Sequence, residues 1–436
     1  MKRPPRQGRP RPPAAAARAL AQPACEAEVT FSGVGARGEA VAETAQGPLY
    51  APFALAGETA QVRIVGDRAQ ILAVTAQSIE RVAPPCPHFG VCGGCQLQHW
   101  AEAPQLAWKR GLVVQALAKR GLEGDVAPIV PAWGAGRRRV GLHVQRQGGA
   151  VRFGFIERGG AQAAAISTCP LMTPGLQAAL PVLEKLARSL APARGDAVLQ
   201  TLQTQTGLDV DVRGAGRVSA RDRQGLQALA AAAEIADLAR LSLEGESVLE
   251  RRPPELRMGA AIVRPPPGSF VQATVAGEET MADLVLQALS GARRVADLFC
   301  GIGTFALRLA QGAEVWAVDG EPAMLAALKA AADRAGGALK GVETARRDLL
   351  RSPVSALELK RFDAIVFDPP RGGARLQAEQ IAAAKAERVA AVACDAGAFA
   401  RDARALVDAG FTMQTITPID QFRWSPHVEI VGVFTR

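Results

Sequence analysis

From about residue 261 the chain alternates apolar runs with helical stretches, and this alternation constrains its fold more than any other feature. Val295-Ala296-Asp297-Leu298-Phe299, Glu314-Val315-Trp316-Ala317-Val318 and Ala364-Ile365-Val366-Phe367 read as strands buried on both faces. Phe305–Ala310 and Pro322–Arg334 read as helices between them. Strand, helix, strand in that order is what a parallel α/β sheet requires, so residues 261–436 are expected to form one.

The rest of the chain divides by composition. Residues 1–24 carry Lys2, Arg3, Arg6, Arg9, Arg11 and Arg18, several prolines and no acid, a segment expected to stay disordered. Residues 25–83 show five short β-rich runs cut by glycine turns, which predicts a small closed β-barrel. Barrels of this size often bind RNA, although a plain structural module reads the same way. Residues 84–260 are expected to form a central α+β domain that opens with a cysteine-rich loop and a helix over 101–122.

Composition limits the class of protein. Of 436 residues, 48% are hydrophobic and 21% charged, enough apolar surface for large cores. No run reaches the roughly 18–20 apolar residues of a membrane span, and Met1–Pro13 lack the apolar stretch of a secretory signal. A cytoplasmic protein with no membrane partner is expected. The net charge of +9 rests on 43 arginines against 8 lysines. Arginine's planar fork suits phosphate and base recognition, while codon bias is the alternative source of the excess.

Seven cysteines are too few for a disulfide scaffold in a chain this long, so their spacing matters more than their number. Cys86, Cys92 and Cys95 form Cys-x5-Cys-Gly-Gly-Cys, and Cys169 follows before Pro170. Four such thiolates can hold a cubane iron–sulfur cluster or a tetrahedral zinc. Three close cysteines and one remote, proline-followed cysteine favour a [4Fe–4S] cluster over the paired knuckles of zinc modules. With all four positions filled the cluster is expected to be structural.

Asp297-Leu298-Phe299-Cys300-Gly301-Ile302-Gly303-Thr304-Phe305 leaves a strand, turns on glycines and opens a helix, as a cofactor loop does. Asp319 ends the next strand, where a carboxylate can accept ribose hydroxyls. The same glycines also fit a dinucleotide fingerprint, so a nicotinamide enzyme stays in view. Asp368-Pro369-Pro370-Arg371, at the end of a further strand, shifts the reading toward S-adenosylmethionine. Cys394 ends the following strand and Glu429 leads into the last one. Each alone reads as a small buried residue or a solvated edge acid. Together they suit methylation at C5 of a uracil, which needs a thiolate to add at C6, a methyl donor, and a base for the C5 proton.

In this order the motifs resemble those of the RNA uracil-5 methyltransferases, in the iron–sulfur branch with an N-terminal TRAM barrel that modifies 23S ribosomal RNA. The resemblance runs from about residue 25 to the C-terminus. It implies a Rossmann-like S-adenosylmethionine-dependent domain, with Cys394 as nucleophile and Glu429 as base. It further implies donor contacts from Gln272, Phe299, Thr304, Asp319, Asp348 and Asp368, and a [4Fe–4S] cluster on Cys86, Cys92, Cys95 and Cys169. The helix at 101–122 would pack on the catalytic domain, and 23S rRNA would be the partner, with no protein partner evident. Where the family shows Ser-Cys-Asn-Pro this chain reads Ala393-Cys394-Asp395-Ala396, and asparagines expected at Thr274 and Thr304 are replaced. The alternatives are a non-catalytic RNA-binding or ribosome-assembly protein on the same fold, and a tRNA uracil-5 methyltransferase.

Overall fold

The computed structural model describes residues 25–147, 149–190, 195–216, 223–227 and 237–436. The expectation of disorder over residues 1–24 falls outside these. Two compact units divide after Arg81.

In the first unit β1 (Cys25–Thr30), β2 (Gly33–Val34), β3 (Ala40–Thr44), β4 (Gly47–Ala51), β5 (Thr59–Val65) and β6 (Arg68–Ala76) form one sheet in the order β1-β5-β6-β4-β3-β2. Alternation sets its core: Ala60 and Val62 of β5 point inward with Phe31, Ala42 and Leu49. Where five strands are expected six form, and the order begins and ends on one stretch of chain: β1 pairs with β5 and runs into β2, which pairs with β3, across Phe31 and Ser32, whose amides donate to the Glu58 carbonyl at 2.9 Å and the Val41 carbonyl at 2.8 Å.

The second unit, Val82–Arg436, holds two large sheets. It opens with the cysteine loop, then α1 (Glu102–Ala118) and β7 (Val130–Pro131). Strands β8 (Arg139–Gln147), β9 (Ala150–Gly154), β10 (Asp196–Thr204), β11 (Gly207–Arg213), β12 (Leu238–Leu243) and β13 (Glu246–Glu250) build the central sheet. Helix α2 (Pro174–Leu190) covers one face, burying Leu176, Leu180, Leu183 and Ala187 at helical spacing against Leu142, Leu199 and Val210. The hairpin β14 (Leu256–Met258) and β15 (Ala261–Val263) leads to α3 (Val275–Ala288).

The remaining elements are β16 (Arg294–Leu298), α4 (Ala306–Leu309), β17 (Glu314–Asp319), α5 (Pro322–Ala335), β18 (Val342–Arg346), α6 (Ala356–Leu359), β19 (Ala364–Phe367), α7 (Arg375–Ala383), β20 (Arg388–Ala393), α8 (Ala396–Asp408), β21 (Thr412–Asp420) and β22 (Glu429–Thr435). They form an eight-stranded sheet in the order β18-β17-β16-β19-β20-β22-β21-β7. Strands β16 to β20 pair parallel, and β22 runs antiparallel to both β20 and β21. Each parallel strand feeds two cores. Val315, Ala364, Val366 and Val392 face the layer containing α3 and α5, whereas Trp316, Ile365, Phe367 and Ala393 face the layer of α7 and α8. Burial on both sides is why these stretches read as continuous apolar runs.

One strand and one helix of this half come from far upstream. β7 pairs with the edge of β21 (Ile419 opposite Val130), and α1 buries Val113 and Leu117 in the core shared with α8. Lys109 on the same face of α1 is wholly buried, its Nζ 2.7 Å from Asp420 Oδ1 and 3.0 Å from the Phe422 carbonyl.

Candidate active site

Five sequence-predicted residues stand where parallel strands end at their carboxyl edge: Phe299 after β16, Asp319 closing β17, Asp348 beyond β18, Asp368 after β19 and Cys394 after β20. The sheet thus brings to one edge residues spread over about a hundred positions, the usual place for ligands in open α/β sheets. Phe299 takes φ 65° and Gly301 and Gly303 follow at 53° and 97°. A non-glycine residue held there costs of order 1–3 kcal/mol, and such strain collects at functional sites. Gly303 is required, since a Cβ would come 2.9 Å from Leu328 and 3.0 Å from Leu307. Asp319 Oδ2 accepts the Gly301 amide at 2.9 Å and Oδ1 that of Glu321 at 2.9 Å, which locks the turn to the strand end. Asp348 caps its own turn, accepting from Leu350 at 3.2 Å and Arg351 at 3.3 Å. Beneath the turn Asp297 is wholly buried, and burial pushes its carboxyl up to about 8.

Register sets Cys394 against Glu429. Ala393 of β20 pairs with Ile430 of β22, so the next residues outward, Cys394 and Glu429, flank one another at the sheet edge. Glu429 is 4% exposed; burial and the charge of Asp368 push its carboxyl up to about 8. Asp368 is raised to about 7 by burial. The half-buried Cys394 thiol is raised to about 11 by burial and the charges of Glu429 and Asp368, with Arg371 opposing. These surroundings favour the thiol over the thiolate.

Gln272, Asp368 and Glu429 are joined by a residue that sequence reading missed. Gln272 Nε2 donates to Asp368 Oδ2 at 3.3 Å, and Gln421 Nε2 donates to Gln272 Oε1 at 2.8 Å and to Glu429 Oε1 at 3.0 Å. A glutamine one position past a strand carries no motif, so nothing in the sequence marked it. A second network escaped for the same reason. Buried Glu278 binds Arg308 at 2.8 Å and also Arg138, and these arginines donate to the carbonyls of Thr304 at 2.6 Å and Gln272 at 3.2 Å. Two of the motif departures, Thr274 and Asp395, have local explanations. Thr274 caps α3, accepting from Gly277 at 2.9 Å and donating to the Ala132 carbonyl at 2.7 Å. Asp395 caps α8 by accepting from Ala398 at 2.9 Å, a position where a carboxylate is as good a cap as asparagine.

Cys86, Cys92, Cys95 and Cys169 line a single cavity with Arg137 and Phe155, and none is disulfide-bonded. Gly94 donates its amide to Cys92 Sγ at 3.4 Å. A Cβ on Gly93 would meet the Ile156 carbonyl at 2.7 Å. Burial pushes Cys95 up to about 12, with the facing sulfurs adding to the rise. Among the described residues no three His, Cys, Asp or Glu side chains are grouped so as to hold a metal ion. The cysteine loop reaches the catalytic edge through the Trp424 carbonyl, which accepts from Gln96 at 2.8 Å and Leu97 at 3.0 Å.

No family model matches the chain. It is 45% identical over 417 residues to an uncharacterized RNA methyltransferase of Caulobacter vibrioides, covering 94% of this chain and 100% of that one. It is 30% identical over 404 residues to the 23S rRNA (uracil(1939)-C(5))-methyltransferase RlmD of Shewanella woodyi, covering 88% and 90%. The chain belongs to the RNA methyltransferase family. Its fold is that of the tRNA (uracil-54, C5)-methyltransferase of Pyrococcus abyssi, solved with S-adenosyl-L-homocysteine: TM-score 0.73 at 20% identity, over 94% of this chain and 99% of that one. In this RNA methyltransferase, among the described residues, no helix is long and apolar enough to cross a membrane.

Proposed function

We propose that this RNA methyltransferase transfers a methyl group from S-adenosylmethionine to C5 of a uridine in RNA, with Cys394 as nucleophile and Glu429 as base. The observation that carries the reading is the pairing of β20 with β22, which puts a cysteine and a buried glutamate side by side at the carboxyl edge of the sheet. When bound, the donor supplies a methyl group on a positively charged sulfonium. The strained turn Phe299–Thr304, Asp319, Asp348, Gln272 and Asp368 would hold it. Cys394 sulfur bonds to C6 of the uracil, and the electron pair of the C5–C6 double bond moves to C5 and onto the O4 enolate. C5 then takes the methyl group as the methyl–sulfonium bond breaks, its electron pair staying on sulfur so that neutral S-adenosylhomocysteine departs. Glu429 removes the C5 proton, the C6–sulfur bond breaks, and Cys394 is released as thiolate. A target uracil has to leave its stack to reach Cys394, which favours loops and junctions.

The finer assignments follow the same reading. The substrate is 23S rRNA, in keeping with the activity of the Shewanella relative. Residues 25–83 act as a TRAM barrel for RNA, 84–260 as the central domain and 261–436 as the methyltransferase domain, with α1 and β7 joined to the last. The protein works in the cytoplasm. The four cysteines are chemically suited to a [4Fe–4S] cluster: they share a cavity, and an amide points at one sulfur. Such a cluster would fix the loop that seats Trp424, five residues before Glu429.

The test is methyl transfer from labelled S-adenosylmethionine to unmodified 23S rRNA and tRNA transcripts, using anaerobically purified protein of measured iron and sulfide content. The expected result is 5-methyluridine in 23S rRNA, lost in Cys394→Ala while donor binding is kept. Donor binding without any methylated nucleoside would favour the non-catalytic reading, and product in tRNA alone would move the substrate.

A further inference from the structure

Glu429 lies in a site crowded with acids, and only one residue among the described ones donates a side-chain hydrogen bond to it. Gln421 is 2% exposed, and its two side-chain atoms are committed in opposite senses. Its Oε1 accepts the backbone amides of Ala273 at 3.0 Å and Thr274 at 3.4 Å. That leaves Nε2 facing two acceptors, Gln272 Oε1 at 2.8 Å and Glu429 Oε1 at 3.0 Å. A flipped amide would put its nitrogen against two N–H groups and its oxygen against a carboxylate, so one orientation is fixed. Gln272 follows in turn: with its oxygen taken by Gln421, its nitrogen points at Asp368 Oδ2, 3.3 Å away. Two amides therefore run between the carboxyl group beside the donor turn and the one beside the nucleophile, each giving a hydrogen bond to a carboxylate.

The backbone around Gln421 is held as firmly. Lys109 Nζ bonds Asp420 Oδ1 at 2.7 Å on one side and the Phe422 carbonyl at 3.0 Å on the other, both from within the core.

We propose that Gln421 is a positioning residue for the base: its amide aims the Glu429 carboxylate by holding Oε1, leaves Oε2 for the C5 proton, and favours the carboxylate over the acid. The assignment rests on the reading of Glu429 as base. The titratable groups that face Glu429 are Asp368 at the end of β19 and Cys394 at the end of β20. Arg371 acts on Cys394 and, with Lys109 and Arg137, on His427, and Asp420 is taken by Lys109. Burial and Asp368 both push the Glu429 proton on, and Gln421 alone pulls against them.

The experiment is the pH profile of single-turnover release of free methylated RNA by the full chain, with the covalent protein–RNA adduct followed in parallel. Gln421→Met keeps the volume and loses the donor; Gln421→Glu keeps an acceptor for the Ala273 amide and sets a second acid against Glu429. For Gln421→Met the acid limb should move up by about one pH unit, a tenfold loss at a fixed pH below it, with the rate recovered above the new midpoint. Adduct should accumulate below that midpoint, because proton removal follows methyl transfer. Gln421→Glu should move the limb further in the same direction. A purely structural role would lower the rate equally at every pH and lower the adduct with it. An unchanged midpoint in either folded variant overturns the assignment. If instead the unsubstituted chain forms no Cys394-dependent adduct, the reading of Glu429 as base fails first.

Discussion

Lys109 and Asp420 meet with both side chains at 0% exposure, 311 residues apart in sequence. Taking two charges out of water costs several kcal/mol each, and the mutual attraction at 2.7 Å offsets much of it only while both are present. Burial lowers the Lys109 pKa despite the facing carboxylate, so its desolvation is substantial. Lys109→Met, which fills similar volume, leaves Asp420 buried with one oxygen already lacking any partner and the other only the Phe422 amide at 3.0 Å. The expected loss is about 3–5 kcal/mol. Adding Asp420→Asn removes the second charge while keeping an acceptor for the Phe422 amide, so the double variant should regain at least about 1–2 kcal/mol of that loss. Urea unfolding read by tryptophan fluorescence suits the test, because all five tryptophans lie in the unit Val82–Arg436. Its transition is then read apart from that of the first unit. A cost below about 1 kcal/mol for Lys109→Met, or a double variant no more stable than the single, would refute the view of Lys109 as the charge that makes Asp420 tolerable in the core.

Two further outcomes follow from the site. Glu429→Gln should stop turnover yet speed adduct formation above about pH 8, where Glu429 is charged, because that charge is one cause of the raised Cys394 pKa of about 11; an adduct rate with unaltered pH dependence would break that coupling. Gly303→Ala should weaken S-adenosylhomocysteine binding at least tenfold, about 1.4 kcal/mol, since the new Cβ collides with Leu328 and Leu307 at a φ of 97°, and calorimetric titration showing unchanged affinity would count against this turn as the donor cradle.

Much of the catalytic half was legible because its signals are local. Val315-Trp316-Ala317-Val318 could be read as a doubly buried strand, and Gly301 and Gly303 mark a turn that needs positive φ. Cys394 and Glu429 were picked out by type and by position at strand ends. In the central sheet β11 alternates Leu208, Val210 and Val212 with Asp209 and Asp211, which reads as a strand with one face in water, yet both acids are buried, Asp209 against Arg240 at 2.7 Å, and nothing local announces that partner. The small strand β2, two residues long, has too few positions to show a period.

What the sequence by itself determined is the kind of fold and the candidate site residues, because strand burial, glycine turns and cysteine spacing are written in neighbouring residues. Only the tertiary structure decided how those groups are tuned. Lys109 reaches Asp420, Gln421 reaches Glu429 and Gln272, and Glu278 gathers Arg138 and Arg308, across separations of up to 311 residues. A buried lysine, a glutamine past a strand and a helical glutamate carry no local mark of their partners. Their roles come from desolvation and hydrogen-bond direction, which exist only once the chain has closed around them.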